Sequence, residues 1–200
     1  MRWLHIGTSP TVNDTLPLAR GLFNFDKIIT CNRGILLEPK PDFYLATDMK
    51  VGRQYETEAR AAQAAGTRLV TYLRDQQAMI DRRVDFYDEF ITEGVGDPTR
   101  AAWGMFRLTG PMCVEYACRT GCTELVMVGC DGYRGQPHAD YFDDYWRDER
   151  PGAEHRTQIM HLAFRKIAEV FHDVRFIRYG RPLRNVPDCP NWEERPCAAL

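Results

Sequence analysis

Lysine is scarce in this chain. It supplies four of the 26 basic residues (Lys27, Lys40, Lys50, Lys166); the rest are arginine, and 28 acidic residues bring the formal net charge to −2. A charge this close to balance gives no global field to draw in nucleic acid or an anionic membrane. Arginine suits bidentate phosphate contacts, but the arginines are dispersed, and a GC-rich genome produces the same bias. Long apolar runs are missing too. None approaches the roughly 20 residues of a membrane helix, and the opening MRWLHIG is too short for a signal peptide. We therefore expect a cytoplasmic protein with no membrane span. The seven cysteines (Cys31, Cys113, Cys118, Cys122, Cys130, Cys189, Cys197) are odd in number and form no Cys-x-x-Cys pair. Five sit in apolar contexts, where a free thiol behaves as a small hydrophobe. That pattern indicates a reducing compartment and no structural zinc. Internal repeats, low-complexity segments and the glycine spacings of the dinucleotide fingerprint and the P-loop are also absent.

What is present is an alternation of short apolar runs with longer amphipathic ones. The 200 residues, 44% hydrophobic and 27% charged, suffice for one domain with a sizeable core. LHIG (4–7), KIITC (27–31), DFYLAT (42–47), RLVTYL (68–73), ELVMVGC (124–130) and VRFIRY (174–179) read as strands, with helices at 14–23, 50–65, 111–120 and 155–171. Strands separated by helices imply right-handed crossovers. The expected fold is thus α/β: a single Rossmann-like domain over 1–180, its mostly parallel sheet of about six strands covered by helices on both faces. The stretch 81–107 reads equally as strand or helix. Residues 132–153 have the composition of a mobile loop or lid. The Pro-rich tail 181–200, with Trp192, is expected to wrap the surface or a neighbouring subunit, so a homo-oligomer is compatible with the sequence.

Ligands of a parallel sheet bind beyond the carboxyl ends of its strands, so the residues following each strand are the site candidates. Gly7, Thr8 and Ser9 follow the first strand, offering close backbone approach, hydroxyls and amides to an anion, or simply making a tight turn. Asn32 follows the second and can pair with a nucleotide or satisfy turn amides. Asp48 follows the third; it can bind ribose hydroxyls or a metal, or cap the next helix. In LTGPMC, Thr109 and Gly110 precede Pro111 at the start of an apolar helix, leaving free amides for a phosphate or carboxylate. Asp131 ends the strand TELVMVGCDGYRG between glycines, followed by Tyr133. His155 falls in the first turn of the last long helix, where the helix dipole disfavours the imidazolium and leaves the neutral base that proton abstraction needs. His5, His138, His161 and His172 are weaker candidates.

The order of these motifs resembles glycosyltransferase family 42, the bacterial sialyltransferases, and the related hydroxymethylpterin diphosphokinase-like domains of unknown function. GTSPT corresponds to the family's opening Gly-Asn-Gly-Pro-Ser turn, TCN to its Cys-Asn, and LTGPMCVEYA to its small-residue turn before a buried helix. CTELVMVGCDGY matches the strand ending in Gly-hydrophobic-Asp-aromatic-Tyr, DYFDDY approximates Tyr-x-Phe-Asp, and His155 precedes the last helix and strand at nearly the family spacing. PDFYLATD looks closer to the diphosphokinase-like relatives. The resemblance implies sugar transfer from a nucleotide-activated donor of the CMP-sugar type to an acceptor hydroxyl, without a metal or other cofactor. The first turn, Asn32 and Thr109–Gly110 would hold the nucleotide. Tyr133 and Tyr141 would steady the leaving phosphate, and His155 would deprotonate the acceptor. Two departures bear on the donor. Ser9 stands where the family carries Asn, and Asp48, replacing another Asn, would repel a sialic acid carboxylate. The compact chain also fits a phage-encoded protein. The alternatives are a diphosphokinase-like enzyme holding Mg²⁺·ATP through Asp48, Asp131, Asp143 or Asp144, and a nucleotide-binding protein without catalysis.

Overall fold

The computed structural model describes residues 1–47, 49–73, 86–92, 108–132, 153–183 and 188–197. Asp48, Tyr133, Tyr141, Asp143, Asp144 and nearly all of the expected lid lie outside them. The described strands are β1 (Arg2–Ile6), β2 (Lys27–Cys31), β3 (Phe43–Ala46), β4 (Arg68–Leu73), β5 (Glu89–Thr92), β6 (Glu124–Val128), β7 (Arg175–Gly180) and β8 (Trp192–Pro196). The helices are α1 (Val12–Leu22), α2 (Met49–Gln54), α3 (Glu56–Ala64), α4 (Thr109–Arg119) and α5 (Ala153–Val170), with a 3-10 turn at Asn32–Leu36. No helix among the described residues is long and apolar enough to cross a membrane.

The strands form one eight-stranded sheet in the order β5-β4-β3-β2-β1-β6-β7-β8, and every adjacent pair is parallel. Strands buried on both faces must be apolar at successive positions, which is why FYLA of β3 is buried throughout. The period of two then divides the core. Trp3, Ile29, Phe43, Leu45, Leu125, Met127 and Phe176 face Met112, Cys113 and Tyr116 of α4 and Phe164 and Ile167 of α5. Leu4, Ile6, Val126, Val128 and Ile177 face the other way, onto Val12, Leu16 and Ala19 of α1. Farther along that face, Tyr44, Ala46 and Leu69 pack on Tyr55, Ala59 and Ala62.

The α/β class and the two-sided cover are as expected from the sequence; the strand count is eight rather than six. β5 lies in the stretch that read ambiguously, and β8 lies in the tail. WEERP of β8 carries a single large apolar residue because an edge strand needs only partial burial. Trp192 stacks on Phe176 with ring centroids 5.6 Å apart and lies 5.9 Å from Phe164, while Glu193 pairs with Arg175 and Glu194 with Arg178. Part of the tail is thus sheet rather than surface wrap. The helix expected over 50–65 is two helices, broken at Tyr55 (φ −113°, ψ 23°).

Candidate functional site: the crevice between β1 and β6

From β1 the chain winds outward to β5, then returns to the opposite side of β1 with β6. This reversal makes the carboxyl ends of β1 and β6 the topological switch point, where such sheets open a crevice. The two strand ends are drawn tightly together. The Gly7 amide donates to Val128 O (2.8 Å), and the Ser9 amide to Gly129 O (3.1 Å). A Cβ on Gly7 would sit 2.2 Å from Gly129 O, and Gly129 has φ +66°, which favours glycine. Both glycines are therefore dictated by backbone contact, independently of any ligand.

Asp131 explains the carboxylate that ends β6. Its Oδ2 accepts from the Ser9 hydroxyl (2.9 Å) and from the Thr11 hydroxyl. Its Oδ1 accepts from the Arg181 amide (2.9 Å) and pairs with Arg178 at 3.2 Å. Arg178 is wholly buried and also pairs with Glu194 at 2.9 Å. The carboxylate is thus committed to clamping the β6 end onto the β1 turn and the β7–β8 end. It does not line the crevice, and neither does it have the free oxygens a Mg²⁺ ligand needs. Ser9 lines the crevice, but its amide and hydroxyl are already engaged.

Gly7, Thr8, Ser9, Asn32, Thr109 and Gly110 all line one cavity of about 60 Å³, although they come from three separate parts of the chain. That volume accommodates several waters or one phosphate group. Asn32 holds a left-handed backbone, φ +50°, uncommon outside glycine although tolerated by Asn. Its buried Oδ1 has no hydrogen-bond partner among the described residues. Across the cavity, α4 begins after Leu108 with no side-chain cap. Of its first turn, Pro111 has no N–H and the Met112 N–H donates to Leu108 O (3.1 Å), so the amides of Thr109 and Gly110 and the positive end of the dipole are what the helix offers an anion. Gly110 has open space where a Cβ would stand, and the Thr109 hydroxyl meets that of Thr47 at 2.7 Å. Met160 and Phe164 of α5 supply an apolar wall.

His155 stands exposed in the first turn of α5 and is absent from the described lining of the cavity. The same turn nonetheless reaches the rim: a Cβ on Gly132 would lie 2.7 Å from Thr157 Cγ2.

The cavity floor is a histidine–cysteine cluster that sequence reading did not assemble. His5, Cys31 and Cys130 line it, and Cys113 lies directly beneath, fully buried. One ring nitrogen of His5 and the sulfurs of Cys31 and Cys113 lie within 4.8 Å of one another. The Cys113 thiol's hydrogen bond is the largest influence on Cys31 and pulls its pKa below the usual thiol range; burial opposes this and His5 reinforces it. Burial alone would depress the His5 imidazolium, but the Cys130 and Cys31 sulfurs outweigh it and hold the pKa above the usual value. Burial and the adjacent Cys31 push Cys113 well up. The faint available signal was parity: His5 and Cys31 occupy the strand face that α4 covers, together with Trp3 and Ile29. Comparison with protein-family models, curated proteins and solved structures finds no match for this chain.

Proposed function

We propose that the chain is a nucleotide-dependent transferase that binds its donor across the β1/β6 crevice. The observation that carries this reading is that a single cavity presents both an acceptor with no partner among the described residues, Asn32 Oδ1, and the N-terminus of α4, whose N-cap Leu108 makes no side-chain cap. A phosphate alone would suit the amides and be repelled by the amide oxygen; a nucleotide offers an anion to one and a ribose hydroxyl or exocyclic amine to the other. In the transfer step the α4 amides hold the phosphate as it gains charge, assisted by Tyr133 and Tyr141, and His155 accepts the acceptor's proton. The resemblance to glycosyltransferase family 42 supports a CMP-sugar donor. The engagement of Asp131 by Arg178 and two hydroxyls weighs against its holding the Mg²⁺ of a diphosphokinase.

The test is a thermal-shift screen of CMP, UDP, GDP and ATP with and without Mg²⁺. A nucleotide at about 100 times its Kd adds about 2.7 kcal/mol, or roughly 5–10 °C for a chain of this size. We expect CMP to raise Tm without Mg²⁺, Asn32→Ala to remove most of that shift, and His155→Ala to keep the shift while abolishing transfer. Stabilisation by Mg²⁺·ATP alone would establish the diphosphokinase alternative, and no response to any nucleotide would end the nucleotide reading.

A further inference from the structure

His5 reaches the base of the crevice from β1, Cys31 from the last position of β2, and Cys113 from the second turn of α4. All three side chains are buried. The two nitrogens of His5 are in different situations. Nδ1 meets Cys130 Sγ at 3.4 Å, and the Cys130 thiol donates to Val128 O at 3.4 Å. With its proton directed at that carbonyl, the sulfur presents lone pairs to the ring, so Nδ1 carries the hydrogen. Nε2 is buried and has no hydrogen-bond partner among the described residues. A buried polar atom left so costs on the order of 1–3 kcal/mol, and one nitrogen of this ring lies within 4.8 Å of the Cys31 and Cys113 sulfurs.

We propose that His5 Nε2, Cys31 Sγ and Cys113 Sγ are the ligands of a zinc site at the floor of the crevice. The donor set of two thiolates and one imidazole is that of a soft, tetrahedral centre. Sulfur at about 2.3 Å and nitrogen at about 2.0–2.1 Å from such a centre lie roughly 3.5–3.8 Å apart. One ring nitrogen of His5 and the two sulfurs, already within 4.8 Å of one another, need to close by at most about 1.3 Å to reach that spacing. Binding displaces to solvent whatever protons the three ligand atoms carry, leaving two thiolates and an imidazole whose ligating nitrogen is unprotonated on the metal. Cys130 then acts as the outer partner that fixes the ring's tautomer, as hydrogen-bonded groups behind metal-bound histidines do. His5 and Cys31 line the cavity whereas Cys113 does not, so the fourth coordination position faces the crevice. There an exogenous oxygen, such as a phosphate oxygen, can enter it. The site goes beyond the transferase reading and is independent of which nucleotide binds above.

The full chain, stripped of metal by chelator under reductant and titrated with Co²⁺, is expected to bind one equivalent. Sulfur-to-cobalt charge transfer and intense tetrahedral ligand-field bands should appear, and Zn²⁺ should erase both. Cys31→Ser and Cys113→Ser each lose the charge-transfer intensity in proportion to the sulfur removed, and Cys189→Ser, outside the cluster, retains it all. Cys130→Ala keeps the bands but weakens Co²⁺ binding about 10–100-fold. Inorganic phosphate, added to the cobalt form, shifts the ligand-field bands. The unmodified chain is decisive even where a variant fails to fold: no uptake, or uptake without sulfur charge transfer, overturns the site. Bands that survive in both serine variants overturn the ligand assignment, and bands unmoved by phosphate overturn the open position.

Discussion

At the scale of single residues, the acid ending β6 shows how a motif that looks like chemistry can be architecture. Asp131 resembles a site carboxylate in sequence, yet each of its oxygens is engaged by protein, and the Arg178 opposite it is completely buried. A buried pair contributes little as a pair but is costly to break, because the remaining partner keeps its desolvation penalty. Asp131→Asn keeps the shape and removes the charge. It should destabilise the fold by about 3–5 kcal/mol in urea unfolding, and Asp131→Asn with Arg178→Met should cost distinctly less than the sum of the two single changes. Full additivity would show that the clamp is not one unit. Asn32 is the opposite case. Its Oδ1 has no hydrogen-bond partner among the described residues, at a left-handed backbone position; the donor this oxygen lacks is what the proposed nucleotide would supply.

At the scale of elements, helices and central strands were legible because burial repeats along them: RLVTYL was read at the bounds of β4, and α1, α4 and α5 within two residues of theirs. The edges were not. β8 is a strand by virtue of its register with β7, Phe176 opposite Trp192 through Gly180 opposite Pro196, and not by its own composition. Its attachment depends on one aromatic ring set among charges. Trp192→Ala should therefore cost about 3–5 kcal/mol, whereas Glu193→Gln, part of a half-exposed ion-pair set, should change the unfolding free energy by less than about 0.5 kcal/mol. Equal costs would mean that the strand is held by its charges.

At the scale of the whole molecule, the two-sided core leaves its mark on the alkaline titration. Burial, with the charge of Glu56 adding to it, pushes Tyr87 up to about 12. Burial also pushes Cys122 to about 12 and raises Tyr44 and Tyr116 well above the usual value. A group whose folded pKa is raised binds its proton more tightly in the folded state, so its stabilisation is complete below the unfolded pKa and is lost as pH climbs toward the folded one. For Tyr87 that window runs from about 10 to about 12, and for Cys122 from about 9 to about 12. Stability to urea should hold up to about pH 9 and then fall steeply. Phenolate absorbance from the buried tyrosines should appear together with the loss of circular dichroism. Phenolate formation well before unfolding would mean that these rings are open to solvent.

The sequence by itself determined the α/β class, the order of six of the eight described strands and the helices between them, and the rim residues Gly7, Thr8, Ser9, Asn32, Thr109 and Gly110. Periodicity and strand ends are local properties, and a parallel sheet directs its strand ends to one edge. Only the tertiary structure decided that β6 returns beside β1, that Asp131 faces Arg178, and that His5, Cys31 and Cys113 meet beneath the crevice. Those encounters join residues far apart in the chain, on strands and a helix whose spacing leaves no trace in any one segment. They are set by which elements pack together, and the gain from burying apolar faces, rather than local conformational preference, settles that packing.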